Sequence, residues 1–259
     1  MGPALKPIRA TALLVGLLLV FASAPAGAGA PWRPDKEAAL RYIGRRSGSV
    51  SFAAVNERKT MWAHRPHREV EAVSVFKAML LATYLRMPSV RDRRLRDDDR
   101  RLLSPMIKRS DNDAASRVRD IVGHPRIRRL ARDARMMNFR VERPWGASQI
   151  TARDQARFFS RYERYLPRRH EDYARYLLSH VVSWQRWGMA DYADDRMAGW
   201  KIFFKGGWGS GTGRWSHQVA FFEKNNRRIT LAILTEHSPS HAYANRTMRG
   251  VARRLLRTR

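Results

Sequence analysis

Ala72-Val-Ser-Val-Phe-Lys-Ala-Met-Leu-Leu-Ala-Thr-Tyr84 is rich in Ala, Leu and Met and free of Gly and Pro. That composition predicts a helix over residues 72–84. Ser74 and Lys77, three residues apart, then share one face of it, within contact reach. Ser74 falls in the first turn, where backbone N–H groups have no intrahelical partner. A serine there can offer its own N–H to the charge that develops on a substrate carbonyl. Lys77 can take the hydroxyl proton if burial or a neighbouring cation lowers its pKa. A lone Ser-x-x-Lys is a weak signal, but this is its single occurrence in the chain.

Two further strings follow in order, Ser110-Asp-Asn112 and Lys205-Gly-Gly207. Each has a plain alternative. Ser-Asp-Asn is a good helix N-cap ahead of Asp113-Ala-Ala-Ser-Arg-Val118, and Lys-Gly-Gly can be a strand-to-turn transition. Together with Ser74-x-x-Lys77 they point to a serine acyl-transfer site.

With these three strings the chain resembles the serine β-lactamase and penicillin-binding superfamily, closest to the class A-like serine hydrolases, over about residues 35–257. The resemblance implies Ser74 as nucleophile and Lys77 as its base. It implies that Ser110 relays a proton to the leaving nitrogen and that Asn112 binds the amide of the substrate side chain. Lys205 would line the pocket from a strand, near the substrate carboxylate, and the N–H groups of Ser74 and Trp208 would form the oxyanion hole. Gly206 and Gly207 would let a substrate backbone lie against the strand edge. The substrates implied are β-lactams and D-alanyl peptides of peptidoglycan.

Two departures qualify it. Gly206 stands where the family usually has Thr or Ser, so it has no hydroxyl for the carboxylate. The stretch Met136-Met-Asn-Phe-Arg-Val-Glu-Arg-Pro-Trp-Gly146 looks shortened and lacks the Glu-x-x-x-Asn string of the class A ω-loop. Glu142 is the one carboxylate nearby that could activate a deacylating water, so deacylation is expected to be slow. A non-catalytic cell-wall-binding or regulatory protein that retained the fold is the alternative.

The rest of the chain fits one two-lobed α/β (α+β) domain over residues 29–259: an antiparallel sheet of about five strands flanked by N- and C-terminal helices, plus a helical lobe. Asp35 after Pro34 predicts a helix to residue 46. Residues 49–55 and 60–64 read as a hairpin, and residues 65–73 as a loop. Residues 92–135 read as helical, with Asp97-Asp-Asp99 at a helix start. Thr151-x-x-Asp154 opens another helix, and helical periodicity resumes over residues 171–182. Strands are expected over 200–205, 217–222 and 228–234, the last two joined at Asn225-Asn226. The helix over 241–257 is expected to turn Tyr243, Met248, Val251 and Leu255 to the sheet. Trp184, Trp187 and Trp200 read as packing, with Trp208 and Trp215 as candidates for the cleft.

The first 28 residues read as a signal peptide: Lys6 and Arg9, an apolar run over residues 11–21, then small residues with cleavage after Ala26 or Ala28. An uncleaved anchor is the rival. A secreted or cell-wall, extracytoplasmic location follows. There is no cysteine, which rules out disulfides. The formal charge of +28 comes from 43 Arg and 8 Lys spread along the chain without long basic blocks. We read it as composition rather than a nucleic-acid footprint, with attraction to an anionic cell-wall polymer as the functional alternative. His64-x-x-His67 and His237-x-x-x-His241 lack a third ligand at a convincing spacing, so no metal is expected, nor any organic cofactor. The chain is expected to act as a monomer.

Overall fold

The computed structural model describes residues 1–2, 31–209, 211 and 214–257. The signal-peptide reading therefore falls almost wholly outside the described residues. Residues 31–259 make one compact unit.

Helix α1 (Lys36–Ile43) starts where expected, with the Asp35 carboxylate accepting the Ala38 N–H at 2.9 Å. Strands β1 (Ser49–Val55) and β2 (Met61–His64) form the predicted hairpin. After the helical middle come β5 (Lys201–Trp208), β6 (Ser216–Lys224) and β7 (Arg227–Glu236), closed by α9 (His241–Leu256). These five strands form one antiparallel sheet in the order β2-β1-β7-β6-β5, which leaves β5 at an edge. Asn225 and Asn226 both take positive φ, as a two-residue hairpin turn requires.

The sheet separates two cores. On one face it meets α1, α9 and α8 (Met189–Arg196). Met248, Val251 and Leu255 of α9 are buried there, as expected. Tyr243 instead lies under the Arg46 guanidinium, 3.8 Å from its ring centroid, and its hydroxyl accepts the Ser47 N–H. The other face meets the helical lobe: α2 (Phe76–Leu85), α4 (Asp97–Lys108), α5 (Asn112–Asp133), α6 (Ala152–Phe159) and α7 (Glu171–Ser179), with the short α3 (Pro88–Arg91) between α2 and α4. Every residue of α2 is buried, so it runs through the middle of this lobe and not along its surface.

Several boundaries differ from the sequence reading. Val73–Val75 is a turn of 3-10 helix ahead of α2, so Ser74 precedes the α-helix proper. Val70–Glu71 (β3), within the expected loop, pairs with Gln149–Ile150 (β4), for which no element was expected. Strand β5 runs on to Trp208, which makes Lys205-Gly-Gly207 part of a strand and not its turn. Helix α7 stops at Ser179. Trp184 is 66% exposed rather than packed.

Candidate active site

The site is assembled where α2, the α4–α5 connection and β5 meet. Lys77 is fully buried in the first turn of α2. Its ammonium donates to the Ser110 carbonyl at 2.5 Å, the Ser110 hydroxyl at 3.1 Å and the Asn112 Oδ1 at 2.7 Å. Lys205, also fully buried, donates from the strand side to the same Ser110 hydroxyl at 2.9 Å and to the Gly206 carbonyl at 2.7 Å. One hydroxyl thus joins two ammonium groups.

The local backbone explains how Ser110 can do this. Asp111, not Ser110, caps α5, its carboxylate accepting the Ala114 N–H at 2.8 Å. Ser110 sits just outside the helix with φ +59°. That left-handed conformation is uncommon for a residue with a Cβ and clusters at functional sites. Val73, immediately before Ser74, has φ +40°, rarer still for a β-branched residue. Strain of this kind flanks both hydroxyls of the candidate site.

Gly207 sets the distance between the Ser74 turn and β5. A Cβ there would come within 2.6 Å of the Ser74 backbone nitrogen and 2.8 Å of the Val75 nitrogen. Glycine alone permits so close an approach. It brings Trp208, the next residue, beside the Ser74 turn, as a pair of oxyanion N–H donors needs. The turn is anchored from behind: Ala72 N–H donates to the Ser148 carbonyl at 2.7 Å, and His217 Nε2 lies 2.9 Å from the Glu71 carbonyl. The Thr235 N–H donates to His217 Nδ1, which leaves Nε2–H as the donor to Glu71. Burial pushes this imidazole down to about 4, so it stays neutral.

Burial likewise pulls Lys77 down to about 7, with the Asp111 charge opposing. Lys205 is held well below its ordinary value by burial and then by Lys77. The arrangement can hold a neutral amine beside a hydroxyl at near-neutral pH.

Ser74, Lys77, Ser110, Asn112, Lys205, Gly206, Gly207 and Trp208 are brought into one neighbourhood. Glu142 is not tied into it: its side chain is exposed and its N–H donates to Ser148 Oγ at 3.1 Å. The carboxylate whose charge acts on Lys77 is Asp111, while that of Glu142 acts on His124. Sequence reasoning missed Trp145, whose ring lies 5.0 Å from the Lys77 ammonium and stacks on Phe76. It also missed His217. Neither carries a motif; only the fold brings them to the Ser74 turn.

A family model described as "Beta-lactamase enzyme family" matches residues 99–258. No curated protein matches significantly. Among solved structures, the beta-lactamase from Sphaerobacter thermophilus DSM 20745 superposes with a TM-score of 0.72 at 18% identity, covering 85% of this chain and 94% of that one. An ancestral class A beta-lactamase gives 0.72 at 18% identity, over 85% and 97%. PBP-A gives 0.70 at 15% identity, over 86% and 96%. The fold is that of the class A beta-lactamases.

Proposed function

The chain belongs to the beta-lactamase enzyme family, and from that premise we propose that it is an exported serine hydrolase that forms an acyl-enzyme through Ser74 with β-lactams or D-alanyl peptides. The observation that carries the reading is the Ser110 hydroxyl shared by Lys77 and Lys205, next to a nucleophile turn packed on Gly207.

In this mechanism the Ser74 hydroxyl attacks the amide carbonyl and its proton passes to neutral Lys77. The N–H groups of Ser74 and Trp208 stabilise the oxyanion. Collapse breaks the C–N bond, and the proton returns through Ser110 to the leaving nitrogen. Water then hydrolyses the ester. Asp111 caps a helix and Glu142 is exposed, so neither is set to activate that water, and release of the acyl group is the slow step.

Incubation with a fluorescent penicillin followed by intact-mass measurement tests this. One covalent adduct is expected on the wild type, persistent over many minutes, and none on Ser74→Ala. An adduct that survives Ser74→Ala moves the nucleophile elsewhere. Absence of any adduct on the wild type selects a non-catalytic wall-binding role. Rapid turnover without a persistent adduct overturns slow deacylation.

A further inference from the structure

Side chains alternate along β5, so Lys205 and Gly207 face the nucleophile while Gly206 and Trp208 face the other way. On that second face the Trp187 ring lies directly over Gly206. A Cβ at 206 would stand 3.1 Å from Cζ2 and 3.2 Å from Cη2 of the indole. The missing hydroxyl at 206 is therefore matched by an aromatic ring that fills its space.

Trp187 is held firmly. Gln218, fully buried and the register partner of Gly206, donates from its amide to the Trp187 carbonyl at 2.5 Å and accepts the Met189 N–H at 2.6 Å. Between them Gly188 takes φ +62°, with no room for a Cβ against the Gln218 oxygen. His241 packs edge-on to Trp187 at 4.8 Å between centroids and lies against Trp208 at 5.0 Å. Trp208, the candidate oxyanion residue, is 52% exposed, so this wall opens to solvent at the strand edge.

The wall itself carries no charge, and the cation beside it on this face, Arg186 over Phe204, is forked onto the Asp194 carboxylate. The Asn245 amide donates to His241 Nε2 at 3.1 Å, which leaves Nδ1–H to bond Ser216 Oγ at 2.9 Å; both ring nitrogens suit a neutral imidazole. Burial lowers the pKa of His241 in the same sense. The Lys205 ammonium is on the opposite face, occupied by Ser110 and Gly206. Arg214 turns an N–H to the Pro239 carbonyl.

We propose that Trp187, Trp208 and His241, seated over Gly206, form a neutral aromatic subsite that selects acyl donors with an uncharged, ring-bearing leaving group over donors that carry a carboxylate there. The proposal rests on acyl transfer at Ser74 for its catalytic readout; the penicillins and D-alanyl peptides of that reading carry the disfavoured carboxylate, so they are expected to acylate Ser74 more slowly than neutral donors do. Ring-on-ring contact supplies the attraction, and a carboxylate placed here would lose water without gaining a cation.

Phenyl phenylacetate and its 3-carboxyphenyl analogue form the test pair. The expected kcat/KM is at least about tenfold higher for the neutral ester. Steering by a strongly basic chain would favour the anion, so the preference cannot come from net charge. Trp187→Ala should erase the preference, chiefly through a higher KM for the neutral ester, and Trp187→Phe should keep most of it. Gly206→Thr combined with Trp187→Ala should shift the ratio further toward the carboxylated ester. A wild-type preference for the carboxylated ester, or a ratio unmoved in Trp187→Ala and unmoved in Trp187→Phe, overturns the proposal. Equilibrium binding of both esters to Ser74→Ala, followed by ligand-observed NMR, separates the two claims. Tighter binding of the neutral ester that depends on Trp187 supports the subsite even if no ester acylates Ser74. Equal binding, or binding indifferent to Trp187, sinks the subsite even if acylation occurs.

Discussion

Two clusters of cations lie against the same face of strands β5 and β6, one toward each end. At one end Arg175 and Arg228 lie over Phe203 and Phe221, each 4.2 Å from a ring centroid. They bridge Glu163 and Glu223: Arg228 donates to Glu163 at 2.6 and 2.7 Å and to Glu223 at 2.5 Å, and Arg175 reaches both carboxylates. Two residues along from Phe203 stands Lys205, and beyond Ser110 stands Lys77, whose hydrogen-bond partners are hydroxyl, carbonyl and amide oxygens. Both clusters are largely withdrawn from water. The charge of the partner decides what burial does. Burial pushes Glu163 and Glu223 up, but the arginines outweigh it and hold both below their usual range. With uncharged partners the lysines are driven toward neutrality. One cluster fixes structure, and the other is poised to accept a proton. The residue types agree, since a guanidinium keeps its charge and forks between carboxylates, whereas an ammonium changes pKa readily when buried.

Exchanging the cation type breaks this comparison most sharply. Lys77→Arg places a group that stays protonated where a base is needed, so acylation by a reactive penicillin should slow by about 10²–10⁴. The rate of fluorescent labelling reads it directly. Labelling at the wild-type rate would remove Lys77 from the base role and with it the contrast between the clusters. At the other end, Arg228→Met leaves Glu163 and Glu223 with only Arg175. Glu163 and Arg228 are 18% and 19% exposed, and loss of one partner from such a pair should cost about 3 kcal/mol of stability. Urea denaturation measures it, and Ser74 labelling should survive in the folded variant. A stability change within about 0.5 kcal/mol would mean that Arg175 alone satisfies both carboxylates.

Much of this was legible in the sequence, for uneven reasons. Asp35, Thr151 and the Asn225-Asn226 pair act through their immediate neighbours, and the helices they open and the turn they mark start where expected, although α1 ends at Ile43 rather than 46. The motif strings located Ser74, Lys77, Ser110 and Lys205 because they have fixed spacing and order. The Ser110 bridge between two lysines spans separations of 33 and 95 residues, and local pattern carries no trace of it. The ion cluster joins residues 163, 175, 223 and 228, each from a different element, in the same way. Gly206 read as a lost hydroxyl; that Trp187 fills the space depends on a loop 19 residues upstream meeting the sheet. The 3-10 turn at Ser74 escaped because the residues that follow favour an α-helix, while contact with Gly207 and the anchored Ala72 decides the backbone there.

The smallest expected effect, and the finest test, is a separation in pH. In the proposed mechanism acylation needs neutral Lys77, whose pKa is about 7, so the labelling rate should fall about tenfold per unit below pH 7 and level off above it. Stability follows other groups. His217 has a folded value near 4, below its ordinary 6.5, so the unfolded chain binds more protons between those values. Its contribution is complete above about pH 6.5 and is lost as pH falls toward 4. Glu163 and Glu223 are depressed from 4.5, so theirs persists above that value and is lost as pH falls through their folded values. Lys77 adds a slope of its own on the alkaline side, and Lys205, held well below its ordinary value, adds one of the same sign that reaches to lower pH. For Lys77 the unfolded chain holds the extra proton from about 7 to 10.5, and stability rises with pH across that interval. Labelling rate and melting temperature measured in the same buffers from pH 5 to 9 should therefore part company. Labelling should drop between pH 7 and 6 while the melting temperature declines only modestly there, and above pH 7 the melting temperature should climb while labelling stays flat. Curves that fall and rise together would mean that loss of the fold, and not protonation of Lys77, limits acylation.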